Sequence, residues 1–293
     1  MEVVSYHRRQ MSRRLFGSVL ALPVIWAVLT FTARSASPHV PTTEGIALRG
    51  PAAQIRARLD RVAGLGPTTD GVRATDLLLG ELRSARDAVD GPLDVETIEH
   101  VAREAISLRS AAVLEIVPVR RGFREAFVRT VADGATFADW ATGIPASITI
   151  AQAILESDWG RAAPGNNLFG LKGEGPAGSN LRRVVEYRNG HRGKKLASFR
   201  AYRSVAESLL DHGRILANSK KYAKARAVSE DPAAFARALQ GVYATDPRYA
   251  TKLVHLVEGL ELGRFDWVDV SGRLYSAVPY SIAPHDSSIR TVP

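Results

Sequence analysis

The sequence predicts a mainly helical α+β protein, a helical domain with one small β-hairpin lobe, preceded by an amino-terminal membrane helix and a helical spacer. Three observations carry that expectation. Apolar residues recur at helical spacing in three patterns through residues 46–117. One strong turn signal, Asn189-Gly190, separates two short polar segments at 182–188 and 195–199. The stretch from Leu15 to Thr32 carries no charge at all.

Taken in order, the first element is that uncharged stretch. As a helix, its 18 residues would span roughly 27 Å, close to the hydrocarbon thickness of a bilayer. Arg8, Arg9, Arg13 and Arg14 lie upstream. Positive charge stays on the cytoplasmic side, so the remainder of the chain is expected outside the membrane. A signal anchor fits the length, and a cleaved signal peptide is the alternative, because Ala33-Arg34-Ser35-Ala36-Ser37 offers an imperfect small-residue cleavage site. Residues 1–33 are therefore assigned as signal peptide or anchor, and residues 34–45, rich in Ser, Pro and Thr, as a linker.

Residues 46–118 form a predicted helical spacer. Ile55, Leu59 and Val62 make one apolar stripe, Leu78, Leu82, Ala85 and Val89 a second, and Ile98, Val101, Ala105, Leu108 and Ala112 a third. Asp70 and Asp94 are expected N-caps, and Gly66-Pro67 and Gly91-Pro92 separate the segments. The spacer would hold the next domain off the membrane, with a protein-binding role as the alternative. Residues 119–268 make the candidate catalytic domain, and 269–293 a Ser- and Pro-containing flexible tail.

Composition excludes several chemistries. With no cysteine there is no disulfide framework, thiolate zinc site, thiol nucleophile or cysteine-linked lipid anchor. The net charge of +9 suits an anionic partner: nucleic acid, acidic lipid or a wall polymer. Export argues against nucleic acid. His212 lies near Glu207 and Asp211, but no second histidine sits at ligand spacing, so neither metal nor cofactor is expected.

The chemistry concentrates between Ser147 and Lys172. Ser147 to Gly160 reads as a short buried helix, with Pro145 just before it, Ser147 as a cap and Gly160 as its stop. Ile148, Ile150, Ala151, Ala153, Ile154 and Leu155 make it apolar on nearly all sides. Its last turn places Glu156 at the edge of an apolar core. Desolvation there disfavours the carboxylate and raises its pKa, as a general acid requires. Asp158, two residues on, points elsewhere on the helix.

Glu156 is followed by Asn166-Asn167-Leu168-Phe169-Gly170-Leu171-Lys172-Gly173. Together, AQAILES-x-WG and NNLFGLKG resemble the N-acetylglucosaminidases of glycoside hydrolase family 73, found in flagellar and autolysin peptidoglycan hydrolases. The likeness continues through Val184-Val185-Glu186-Tyr187, Ser198-Phe199-Arg200-Ala201-Tyr202 and Asp211-His212 to Tyr243-Ala244-Thr245-Asp246-Pro247-Arg248-Tyr249. It covers roughly residues 123–267.

The resemblance implies a lysozyme-like domain that cleaves the β-1,4 bond after N-acetylglucosamine in peptidoglycan. It implies Glu156 as catalytic acid, Glu186 as a second carboxylate on the hairpin lobe and Tyr243 as a cleft tyrosine. Each of the last two has a plainer alternative: Glu186 as an exposed ion-pairing residue, and Tyr243 as a packed aromatic. Asn166, Asn167, Phe169, Lys172 and Tyr249 are candidate substrate-binding residues. Amides can bond acetamido groups and Phe can support a sugar face, or the Asn pair can organise its own loop. The competing functional expectations are a lytic transglycosylase on the same fold and a non-catalytic wall-binding module. The short loop between Gly160 and Asn166 and the compact hairpin depart from the family pattern.

Overall fold

A computed structural model describes residues 51–88, 93–117, 122–188 and 191–267, except the side chains of residues 184–188 and 191–194. Leu15 to Thr32, the linker at 34–45, the Asn189-Gly190 turn and the tail at 269–293 lie outside the described residues. Among the described residues, no helix is long and apolar enough to cross a membrane.

The three stripes of the spacer form α1 (Pro51–Ala63), α2 (Thr69–Asp87) and α3 (Val95–Ile116). Asp94 caps α3, accepting from the Thr97 amide. At α2 the cap is Thr68 rather than Asp70: the threonine hydroxyl accepts from the Gly71 amide, and Asp70 falls inside the first turn, where its charge complements the helix dipole. These helices are packed into the candidate catalytic domain. Leu59, Leu78, Leu79, Leu82, Ile98, Val101 and Ile106 share one buried cluster with Phe137, Trp140 and Trp267. The Trp140 indole donates to the Leu79 carbonyl at 2.9 Å, so its one polar atom is satisfied inside that cluster.

A larger core joins α4 (Gly122–Thr142), α5 (Ala146–Ser157), α6 (Val205–Asn218), α8 (Pro232–Leu239) and α9 (Tyr249–Gly259), with the short α7 (Ala223–Arg226) between α6 and α8. Gly134 lets α4 and α6 approach closely, since a Cβ there would lie 2.7 Å from Leu209 Cδ1. α6 is capped by Ser204, whose Oγ accepts from the Glu207 amide, and the Glu207 side chain reaches back to accept from the Arg203 amide just before the cap.

Strands β1 (Ser179–Arg188) and β2 (His191–Arg200) pair antiparallel from Ser179↔Arg200 to Arg188↔His191. Each is longer than the segments expected from the sequence: β1 starts earlier, at the base, and β2 gains His191 to Lys194 toward the turn and Arg200 at the base, because backbone pairing does not depend on side-chain pattern. At the base the Arg200 amide donates to the Leu171 carbonyl and the Gly173 amide to the Ser198 carbonyl, both at 2.9 Å. The base is tied to α6 through Asp211, which accepts from Arg200 at 2.6 Å and from the Tyr202 hydroxyl at 2.7 Å. A two-stranded ribbon is marginal alone, so these ties decide where the hairpin starts.

Candidate active site

The site is built around α5. Ten of its twelve residues are buried, from Ala146 through Ile154 together with Ser157, leaving Leu155 and Glu156 to emerge in the last turn. Ser147 does not cap its own helix. Pro145 occupies the N-cap with no side-chain bond, and the first amides are taken by carboxylates from elsewhere. The Ala146 amide donates to Asp139 Oδ2 at 3.1 Å, and the Ser147 amide and hydroxyl donate to Asp266 at 2.6 and 2.8 Å.

The helix also ends before Gly160. Asp158 (φ 51°), Trp159 (φ 59°) and Gly160 (φ 78°) are all left-handed, a turn that redirects the chain immediately after Glu156. Packing offsets the unfavourable backbone of Trp159: its ring meets Phe123 and Phe127 edge-on, at centroid distances of 5.7 and 6.0 Å.

Glu156 carries one described hydrogen bond, from the Tyr249 hydroxyl to Oε1 at 3.1 Å. Burial raises its pKa to about 7, with the Tyr249 bond and the charge of Lys252 acting in the opposite sense. Its place at the negative end of α5 disfavours the anion further. Behind Tyr249 the Gln152 amide donates to the phenol oxygen at 3.0 Å. Tyr243 stacks on Tyr249 with centroids 5.6 Å apart, and its hydroxyl meets His212 Nε2 at 3.3 Å. His212 in turn stacks on Phe169 at 3.8 Å. Burial pushes His212 down to about 3 and both phenols up, so the imidazole is neutral and the tyrosines keep their protons near neutral pH.

The expected site residues separate into distinct roles. Glu156 and Tyr249 meet directly. The tyrosine bonded to Glu156 is Tyr249; Tyr243 stacks on Tyr249 and its hydroxyl meets His212 instead. Phe169 is fully buried against His212 and has no face to offer a sugar. Asn167 is buried too. Its Nδ2 donates to the carbonyls of Leu171 and Arg200, and its Oδ1 accepts from the Leu171 amide, so it organises the loop and the hairpin base. Asn166 (φ 57°) similarly donates to the Tyr202 carbonyl. Lys172 is partly exposed and bridges to Phe199 through its backbone. The backbone of Glu186 pairs with Gly193 in the hairpin, and its side chain lies outside the described residues.

Sequence reasoning passed over Gln152 and Lys252. Gln152 was legible in principle, as an amide on an otherwise apolar helix, four residues before Glu156 and so on the same face. Asp211 is engaged by Arg200 and Tyr202, and His212 by aromatic rings. Among the described residues no group of three or more metal-ligating side chains converges.

Residues 134–262 match the Glucosaminidase family, described as mannosyl-glycoprotein endo-beta-N-acetylglucosaminidase. The chain is 38% identical over 158 residues to a probable N-acetylmuramidase of Lactococcus lactis, a match covering 50% of this chain and 36% of that protein. It is 39% identical over 155 residues to the exo-glucosaminidase LytG of Bacillus subtilis, covering 50% of this chain and 54% of that one. With the peptidoglycan hydrolase FlgJ of Escherichia coli K12 it shares 34% over 150 residues, 48% of each chain. The matches thus span about a third to a half of these relatives' lengths. Residues 134–262 are a glucosaminidase-family domain.

Proposed function

We propose that this glucosaminidase-family domain makes the chain a peptidoglycan hydrolase that cleaves the β-1,4 bond after N-acetylglucosamine. The observation that carries the reading is Glu156: a carboxyl at the mouth of a buried helix, its pKa raised by burial to about 7 so that a substantial protonated fraction persists near neutral pH, with one described hydrogen bond, at one oxygen. Such a group can give its proton to the glycosidic oxygen as the bond breaks. Tyr249 then donates to the carboxylate left behind. The names of the relatives, a glucosaminidase and a peptidoglycan hydrolase among them, support the substrate.

Glu186 is the proposed second carboxylate. A two-stranded hairpin is marginal by itself and can bring that position toward or away from the acid. Its task would be to activate water or to stabilise the positive charge that develops on the sugar ring. The arginines before Leu15 and the uncharged stretch to Thr32 support action outside the cytoplasmic membrane, anchored or secreted. The net charge of +9 favours contact with an anionic wall.

The test is mass spectrometry of purified peptidoglycan digested with the full chain, beside Glu156→Gln. Reducing N-acetylglucosamine ends, made by the wild type alone, are the expected product. Reducing N-acetylmuramic ends would move the cut to the other glycosidic bond. Anhydromuramic ends would indicate a lytic transglycosylase, and no cleavage by folded protein would overturn the reading.

A further inference from the structure

Proton donation by Glu156, assisted by Tyr249, leaves unexplained why an amide is buried inside α5. Gln152 is fully buried in a helix whose other inward positions are mostly Ile and Ala. Its Nε2 donates to the Tyr249 hydroxyl at 3.0 Å, and its Oε1 has no protein partner. An amide half-satisfied in a core costs stability, so packing alone does not account for it.

A phenol has one proton. With Nε2 donating into the phenol oxygen, that proton is free to point only at another acceptor, and the acceptor in reach is Glu156 Oε1 at 3.1 Å. We propose that Gln152 is a positioning residue for the catalytic acid, acting through Tyr249: it directs the phenol proton onto Glu156 Oε1 and leaves the other carboxyl oxygen to face substrate. The inference rests on the reading of Glu156 as the acid.

The local geometry supports a relay rather than a direct contact. Gln152 and Glu156 sit one turn apart on α5, while Tyr249 reaches both from the first turn of α9. Tyr243 stacks against the Tyr249 ring and holds its plane. Stacking fixes the ring but not the hydroxyl torsion, which only a hydrogen-bonding neighbour can set. Donation into the phenol oxygen also polarises its O–H and strengthens the bond passed on to the carboxyl group. Among the described residues, the titratable groups interacting with Glu156 are Tyr249 and Lys252 of α9, together with Tyr243. Lys252 is itself held by Asp246 at 2.5 Å, so Gln152 is the neighbour whose removal changes the phenol without moving a charge.

The test compares the wild type, Gln152→Met, Tyr249→Phe and the double variant. The titration midpoint of the Glu156 side-chain carboxyl is followed by carbon NMR, and glycan cleavage is assayed in parallel. Gln152→Met keeps length and adds no charge. Tyr249→Phe is expected to raise the midpoint, and Gln152→Met to raise it by a smaller amount in the same direction. In the Tyr249→Phe background, Gln152→Met should add nothing. An unchanged midpoint in folded Gln152→Met, or an equal shift with and without the Tyr249 hydroxyl, overturns the relay. Because the midpoint is read without substrate, a wild type that cleaves no glycan would defeat the proposed function while leaving the relay measurable.

Discussion

The two ends of α5 both hold buried carboxyl groups, and they hold them in opposite ways. At the amino end, Asp139 accepts from the amides of Ala146 and Trp267, while Asp266 accepts from the amide and hydroxyl of Ser147. These acids face the positive end of the helix and stand in for a cap. Arg109 reaches in from α3 beside them, donating to the carbonyls of Arg264 and Asp266 and to Asp76 at 2.7 Å. At the carboxyl end, Glu156 faces the negative pole of the same helix, with a single described donor.

Burial raises the pKa at both ends. A raised pKa therefore does not by itself distinguish a structural acid from a reactive one. What distinguishes them is the unused bonding capacity found at Glu156. The same contrast explains the helices before α4. Through Arg109 and the cluster around Trp140 and Trp267, α2 and α3 clamp the segment that holds the start of α5. They belong to the scaffold of the site, beyond any role as a spacer.

The sharpest way to break the comparison is to remove a charged group at each end. Glu156→Gln should lower glycan cleavage by roughly 100- to 10,000-fold, the usual worth of a general acid, with an unchanged melting transition near pH 4. A folded variant that keeps its activity would erase the distinction. Arg109→Met should instead act on stability. It leaves Asp76 buried without its cation, a loss on the order of 3–5 kcal/mol in urea unfolding, while the pH profile of any remaining cleavage stays where it was.

Gly160→Ala tests the turn that ends the helix. The new Cβ would lie 2.9 Å from the Phe127 ring at a φ of 78°, and overpacking of this kind costs about 1–3 kcal/mol, readable as a lower melting temperature.

The smallest effect is on pH dependence. The folded pKa of Glu156, about 7, lies above its ordinary 4.5. The unfolded chain therefore releases this proton first, and stability declines as pH rises from about 4.5 to about 7. Glu156→Gln lacks that titration. Wild type and variant should differ least in urea midpoint near pH 4 and most near pH 8, with the variant the more stable. Asp139 and Asp266 shift in the same direction, so their share of the slope remains in both proteins. Parallel midpoints across this range would show that Glu156 is not desolvated.

Much of this was legible in one dimension. Helical spacing marked α1, α2 and α3, because burial of one face imposes a period, whereas α5 was marked by an apolar run set between Pro145 and Gly160. An apolar run ending in Glu156 marked that carboxyl as desolvated, because it follows directly on the buried residues of its own helix. Asp94 was readable as a cap because a cap acts across three residues.

What remained hidden depends on residues far apart in the chain. Which tyrosine touches Glu156 is decided 93 residues away, where the start of α9 turns Tyr249 toward the acid, while Tyr243 meets His212. The burial of Phe169 depends on α6. The caps of α5 come from Asp139 and from Asp266, the latter 119 residues beyond Ser147. The sequence by itself determined the spacer helices, α5, the existence of the hairpin and the desolvation of Glu156, because periodicity, turn chemistry and local burial are short-range. Only the tertiary structure decided the acid's partners and the scaffold beneath it, because a hydrogen bond between distant segments leaves no periodic trace in either one.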